Sequence, residues 1–288
     1  MKKILVTGGT GQIGGAIVRL SRDRGFIADA PQRLKFDLCN PQSISSLLAN
    51  NDYSALINCA AYTSVDKAES EQELAFRINC EAPSVLAKET GRLGIPLIHV
   101  STDYVFDGTK PGPYTENDDV NPLGIYGRSK AEGEAAVRHY NPKHAIVRTA
   151  WVVSAGEGNF LDTMLRLAKE RDELNIVNDQ QGCPSSAIDI ASALLHIAAN
   201  LDGRSGTWHF VNGGEATWHD LARYIFDRMA TMGKRTPQLN AISSAEYPTL
   251  AKRPQNSRLC TAAFENDFAM TPRNWRLAVD DILSARLK

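Results

Sequence analysis

The chain has 288 residues, with 32 lysines and arginines against 33 aspartates and glutamates for a formal charge of −1, and is 43% hydrophobic and 23% charged. This balance excludes a nucleic-acid partner, whose phosphates call for a basic excess, and the apolar content excludes a disordered chain. No apolar run reaches the ~18 residues of a membrane span, because the most apolar stretch, residues 188–199, is broken by Asp189, Ser192 and His196.

The N-terminus, M-K-K-I-L-V-T-G-G, places only three apolar residues between its lysines and its glycines, too few for an export signal, so a cytosolic chain without membrane contact is expected. The five cysteines, Cys39, Cys59, Cys80, Cys183 and Cys260, form no C-x-x-C or disulfide framework and read as reduced, mostly core-filling residues. The histidines form no H-x-x-x-H or Cys/His cluster, and no protein-built metal site is expected.

Residues 4–7, 55–59, 96–101 and 145–150 are short apolar runs that read as strands. Between them lie helical spacings, on Ile13, Ile17 and Leu20 and on Leu74, Ile78, Val85 and Leu86. Unbroken apolar strands separated by helices predict an α/β fold with a parallel sheet covered on both faces, a Rossmann-type doubly wound sheet. Beyond Trp151 the alternation weakens: 160–168 reads as a helix, 174–177 as a strand, 187–199 as a helix, and 218–232 as a helix capped by Thr217. Proline, polar and aromatic residues are denser over 237–272.

The first strand runs into T-G-G-T-G-Q-I-G, where Gly8, Gly11 and Gly14 precede a helical pattern. Glycines there allow a tight turn and close approach of backbone to a pyrophosphate, and the helix N-terminus attracts the anion. Following the first strand of a βαβ unit, the motif predicts a dinucleotide cofactor. Asp29 stands where an acid would hold the adenosine ribose, and Arg33, four residues on, is placed to meet a 2′-phosphate, so NADH and NADPH both remain open. Residues 1–150 are therefore expected to form the cofactor domain, with 184–212 returning to it. Residues 151–183 and 213–288 would form a smaller substrate-binding α/β region.

The strand at Ile98-His99-Val100 ends in Ser101-Thr102-Asp103-Tyr104, and strand ends in such sheets are where ligands bind. Thr102 is placed to hydrogen-bond a carbonyl oxygen. Tyr126-Gly127-Arg128-Ser129-Lys130 is a Y-x-x-x-K pair, whose i and i+4 side chains share a helix face. The Lys130 ammonium is expected to lower the Tyr126 phenol from its usual ~10 and make it a proton donor near neutral pH.

Together the glycine loop, the strand-end Thr102 and Y-x-x-x-K resemble the extended short-chain dehydrogenase/reductase superfamily. Within it, S-T-D-Y-V-F-D-G (101–108), N-C-A-A-Y-T-S-V-D-K-A-E (58–69), Y-G-R-S-K, R-T-A-W-V (148–152), T-M-L-R-L-A-K-E (163–170) and R-P-Q-N-S-R-L (253–259) resemble the dTDP-4-dehydrorhamnose reductase family over almost the whole chain. The resemblance implies NADPH or NADH as cofactor and a nucleotide-sugar substrate whose C4 ketone is reduced. It implies Gly11, Gln12 and Ile13 at the pyrophosphate, Asp29 at the ribose, Asp37 and Leu38 beside adenine, and Ala60, Ala61, Tyr62 and Thr63 along the cofactor. Tyr126 would be the proton donor, Lys130 its partner and ribose ligand, and Thr102 the oxyanion stabiliser. Thr102, Asp103 and Trp151 would hold the sugar, and Arg253, Asn256 and Ser257 would line the nucleotide-sugar pocket with residues 178–184. Some relatives carry an acid after the last loop glycine that contributes to a magnesium-bridged dimer. Here Gly15 stands in that place, so that dimer is not expected and a monomer or another homodimer is left. Two other readings are another 4-keto-sugar nucleotide reductase or epimerase, and a non-catalytic subunit resembling the regulatory subunit of methionine adenosyltransferase.

Overall fold

The structure, a computed structural model, describes residues 1–33 and 36–287. Along the chain run β1 (Lys2–Thr7), α1 (Gln12–Leu20), β2 (Phe26–Asp29), α2 (Pro41–Ala49), β3 (Ala55–Asn58), α3 (Ala82–Leu93), β4 (Leu97–Thr102), α4 (Ile125–Tyr140) and β5 (His144–Thr149). Then come α5 (Phe160–Glu170), β6 (Glu173–Val177), α6 (Ala187–Asn200), β7 (Gly206–His209), α7 (Trp218–Thr231), β8 (Gln238–Ile242) and α8 (Trp275–Arg286), with shorter helices, strands and turns between. Among the described residues no helix is long and apolar enough to cross a membrane.

Six strands pair in parallel in the order β7-β5-β4-β3-β1-β2. The period of two sends Ile4, Val6, Ile57, Ile98 and Val147 to one face, against Ile17 of α1 and Leu194 of α6. Leu5, Leu56, Leu97 and Ile146 go to the other face, against Ile44 of α2, Leu86 of α3 and Val137 of α4. This is the doubly wound sheet expected from the apolar runs. Its order turns between β1 and β3, which puts a crevice at their C-terminal ends.

Of the six strands, β2 and β7 lie outside the four apolar runs. Gly206–His209 offers one large apolar side chain, Trp208, and lies beside β5 with the Trp208 indole N–H donating to Asp267 at 2.7 Å. A third core joins α5, α7 and the unanticipated α8 through Leu161, Leu165, Leu221, Ile225, Trp275 and Ile282, with Ile176 of the parallel β6–β8 pair. As expected, Thr217 caps α7, and its hydroxyl accepts from the Asp220 N–H at 3.0 Å while Asp220 accepts from the Thr217 N–H at 3.1 Å.

Candidate active site

A cleft of about 970 Å³ lies over the C-terminal ends of β1, β3 and β4. Its lining takes in Gly8, Gly11, Gln12, Ile13, Gly14, Arg33, Asp37, Leu38, Ala60, Ala61 and Thr63 from the cofactor prediction, and Thr102, Asp103, Tyr126, Lys130 and Trp151 from the reacting side. Cys39 and Cys59 also line it, where core filling had been expected. Gly8 has φ +67°, and a Cβ there would stand 2.8 Å from the Ala60 nitrogen; one on Gly14 would stand 2.2 Å from the Gly8 oxygen. The loop therefore packs on β3 only as glycine. Gly11 opens α1 with no side-chain cap, leaving the first-turn N–H groups for an anion, and this donor set fits the pyrophosphate of a dinucleotide. Gln12 accepts from the Ser154 hydroxyl at 2.7 Å and ties the loop to the segment after β5.

Asp29 does not join the cleft. Phe26 and Ala28 of β2 face the α1 side, so alternation turns Asp29 to the other face, where the Tyr53 hydroxyl donates to it at 2.6 Å and Lys3 pairs with it at 3.1 Å. The ribose position assigned to Asp29 is thus not where its carboxylate points, whereas Arg33 lines the cleft. Tyr62 is likewise displaced. Its backbone N–H donates to Asn79 at 2.8 Å, its hydroxyl donates to Glu71 at 2.8 Å, and its ring packs on Ala68, Ala75 and Ile125.

Close packing of α4 brings Tyr126 and Lys130 over β4. A Cβ on Gly127 would lie 2.1 Å from the Tyr104 oxygen, and one on Gly133 2.0 Å from the Asn79 oxygen, so only glycine lets the helix approach this closely. The Glu69 carboxylate accepts from the Ile125 N–H at 2.9 Å and caps the helix. Glu69 and Gly127 were inside the quoted motifs, yet their tasks depend on distant partners and left no local signal. Tyr104 meets the Tyr126 ring edge-on at 5.6 Å between centroids.

At the end of β4, Thr102 donates to Asp103 at 2.9 Å and accepts from the Tyr104 N–H at 3.2 Å. Burial pushes Asp103 up to about 6, with the Ser257 and Thr102 hydroxyls working against it. Burial also pushes the Tyr126 phenol up to about 12, opposed by the Thr102 hydroxyl and reinforced by Asp103. The expected lowering of the phenol by Lys130 is therefore corrected. Desolvation dominates, and the Lys130 ammonium is directed at the Val100 carbonyl at 2.7 Å, with His99 Nε2 at 3.4 Å. Burial lowers Lys130 itself to about 8, against the pull of Glu134. Tyr126 is thus held as a neutral phenol, the form a proton donor needs.

On the sugar side Trp151 has φ 46° and stacks on Trp218 with centroids 3.5 Å apart and planes 5° from parallel. Trp218 donates to Gln180 at 3.1 Å. Three other assigned residues stand outside the cleft lining. Asn256 donates to the carbonyls of Lys110 at 2.6 Å and Gly112 at 2.8 Å and accepts from Arg258 at 2.8 Å, so its amide is spent on shaping loops. Arg253 pairs with Asp66 at 3.0 Å. Ser257 donates its backbone N–H to the Gln181 carbonyl at 2.8 Å and lies beside Asp103.

A family model described as the RmlD substrate binding domain matches residues 1–287. A dTDP-4-dehydrorhamnose reductase of Sinorhizobium fredii (strain NBRC 101917 / NGR234) is 44% identical over 95% of this chain and 94% of its own. The crystal structure of a dTDP-4-dehydrorhamnose reductase from Clostridium acetobutylicum superposes with a TM-score of 0.93 at 35% identity, over 99% of this chain and 100% of that one. That of a dTDP-4-dehydrorhamnose reductase from Bacillus anthracis str. Ames in complex with NADP has a TM-score of 0.93 at 29% identity, over 99% of both chains. Matched along its whole described length in sequence and in fold, the chain belongs to the dTDP-4-dehydrorhamnose reductase family.

Proposed function

We propose that the chain reduces the C4 ketone of dTDP-4-dehydro-L-rhamnose to give dTDP-L-rhamnose, with Tyr126, Thr102 and Lys130 acting on the reacting oxygen. The observation that carries this reading is a neutral, half-buried Tyr126 phenol beside Thr102 in one cleft with an uncapped glycine loop. When bound, NAD(P)H supplies the hydride. The glycine loop would hold the pyrophosphate, Ala60 and Ala61 would flank the cofactor, Asp37 and Leu38 would border adenine, and Arg33 would meet a 2′-phosphate.

As negative charge develops on the ketone oxygen, Tyr126 delivers its phenolic proton and Thr102 donates a hydrogen bond to the same atom. Lys130, one turn further along the same helix, would stabilise the phenolate by its charge. We assign the sugar nucleotide to residues 151–183 and 213–288, where the Trp151–Trp218 stack forms an aromatic wall.

The test is NADPH oxidation with the dTDP-4-keto sugar, set against the GDP- and UDP-linked 4-keto sugars. Turnover confined to the dTDP sugar is expected, and a preference for another nucleotide would reassign the substrate. Tyr126→Phe should lower kcat by about 10²- to 10⁴-fold, as loss of a general acid does, and leave the NADPH Kd unchanged. Turnover at the wild-type rate in that variant would overturn the mechanism.

A further inference from the structure

Beneath the cleft a row of polar side chains that the proposed reaction does not use, Thr7, Asn58 and His99, leads to Lys130. Strand register sets Thr7 of β1 beside Asn58 of β3, and Asn58 beside His99 of β4. All three lie on the face that carries Leu5, Leu56 and Leu97, since they stand two residues further along their strands. Thr7 Oγ1 meets Asn58 Oδ1 at 2.5 Å, Asn58 Nδ2 meets His99 Nδ1 at 2.9 Å, and His99 Nε2 meets Lys130 Nζ at 3.4 Å. At the far end, the Ala60 N–H of the cleft donates to Thr7 Oγ1 at 3.2 Å. None of Thr7, Asn58, His99 and Lys130 is more than 2% exposed.

Proton bookkeeping along the row allows two states. Burial, with the positive charges of Lys130 and Arg138, keeps His99 well below its usual range, so the imidazole is neutral and has one donor and one acceptor nitrogen. With the Asn58 amide nitrogen toward Nδ1, Nε2 carries the proton and donates to Lys130 as an amine. With the amide turned over, Nδ1 donates to the Asn58 carbonyl oxygen, Nε2 accepts from Lys130 as an ammonium, and the amide nitrogen donates to Thr7. Each orientation of one buried amide thus matches one charge state of Lys130.

We propose that His99 is a positioning residue for Lys130 and that, with Asn58, it sets the ammonium–amine balance of that lysine and links it to Thr7 and the Ala60 N–H. This rests on the reading of Tyr126 and Lys130 as the reducing pair. The other titratable groups facing Lys130 are Glu134 of the same helix and Cys59 after β3, and Arg138 also acts on His99. Glu134 is held by Arg148 at 2.7 Å, and burial pushes the Cys59 thiol up to about 12, so neither changes charge over the range tested.

The test compares kcat against pH for wild type, His99→Leu, His99→Gln and Asn58→Asp. Leu removes the acceptor of the ammonium, so the alkaline limb should move to lower pH by about one unit, a tenfold loss of kcat above it. Asp can only accept, which fixes the proton on Nδ1 and leaves Nε2 to the ammonium, so its limb should move to higher pH. Gln, which offers an acceptor again, should restore part of the shift, and with Asn58→Asp it carries the test if the Leu variant does not fold. A purely structural role would lower the thermal midpoints and leave all limbs together, and that result overturns the proposal. Tyr126→Phe measured alongside separates the two failures. Full activity there overturns the proposed function, whereas an inactive Tyr126→Phe with unmoved limbs overturns the His99 assignment alone.

Discussion

The Tyr53 hydroxyl donates to the Asp29 carboxylate across 2.6 Å, and Lys3 closes on the same oxygen at 3.1 Å. The acid that sequence spacing set at the cofactor ribose is therefore engaged on the far face of β2, while Arg33 reaches the cleft nearby.

Arg33→Ala should raise the KM for NADPH by roughly tenfold or more, the worth of one charged hydrogen bond, and leave the KM for NADH alone. Asp29→Asn should change neither. Steady-state kinetics with both cofactors decide it: a rise in the NADH KM on Asp29→Asn would return the ribose to Asp29.

Asp103 sits at about 6 against an ordinary 3.8. With the folded value raised, the unfolded chain loses this proton first as pH rises, so the group costs stability progressively between those values and fully above them. Asp103→Asn, whose amide oxygen can still accept from Thr102, should gain up to about 3 kcal/mol above that window and nothing below it. Denaturation at a neutral and an acid pH measures the gain, and an equal gain at both would contradict the assignment.

His209 is buried and held at about 3 by desolvation and the Arg148 charge, against an ordinary 6.5. With the folded value depressed, the unfolded chain takes up the proton first as pH falls, so stability is lost below the ordinary value at about 1.4 kcal/mol per pH unit. Replacing it with Gln should flatten that acid slope in urea titrations. A slope identical to wild type would show that His209 protonates without unfolding.

A Cβ on Gly182 would lie 2.3 Å from the Trp151 indole, which Trp218 backs at 3.5 Å. Gly182→Ala should therefore push Trp151 off the cleft wall and raise the KM for the nucleotide sugar about tenfold, or ~1.4 kcal/mol, with the NADPH KM unchanged. Equal rises in both constants would point to a general loosening of the fold instead.

The parallel sheet, the glycine loop and the Tyr126–Lys130 pair were legible because each is a local pattern: an apolar run, a turn that needs glycine, two side chains one helical turn apart. β7 was not, because four residues with one large apolar side chain become a strand only when β5 supplies the hydrogen bonds and a core for Trp208. α8 carries helical spacing of its own, at Trp275, Ala278, Val279, Ile282 and Leu283, and only the tertiary structure shows that this face meets α5 and α7.

By itself the sequence determined which chemistry the chain carries, since those local patterns specify a bound dinucleotide and a tyrosine–lysine pair wherever the sheet places them. Only the tertiary structure decided which polar residues reach that chemistry. Alternation along β2 turned Asp29 away, long-range hydrogen bonds withdrew Tyr62 and Asn256, and parallel register across β1, β3 and β4 lined up Thr7, Asn58 and His99 under Lys130. A side chain's facing depends on its neighbours in space, and residues 7, 58, 99 and 130 become neighbours only when the sheet closes.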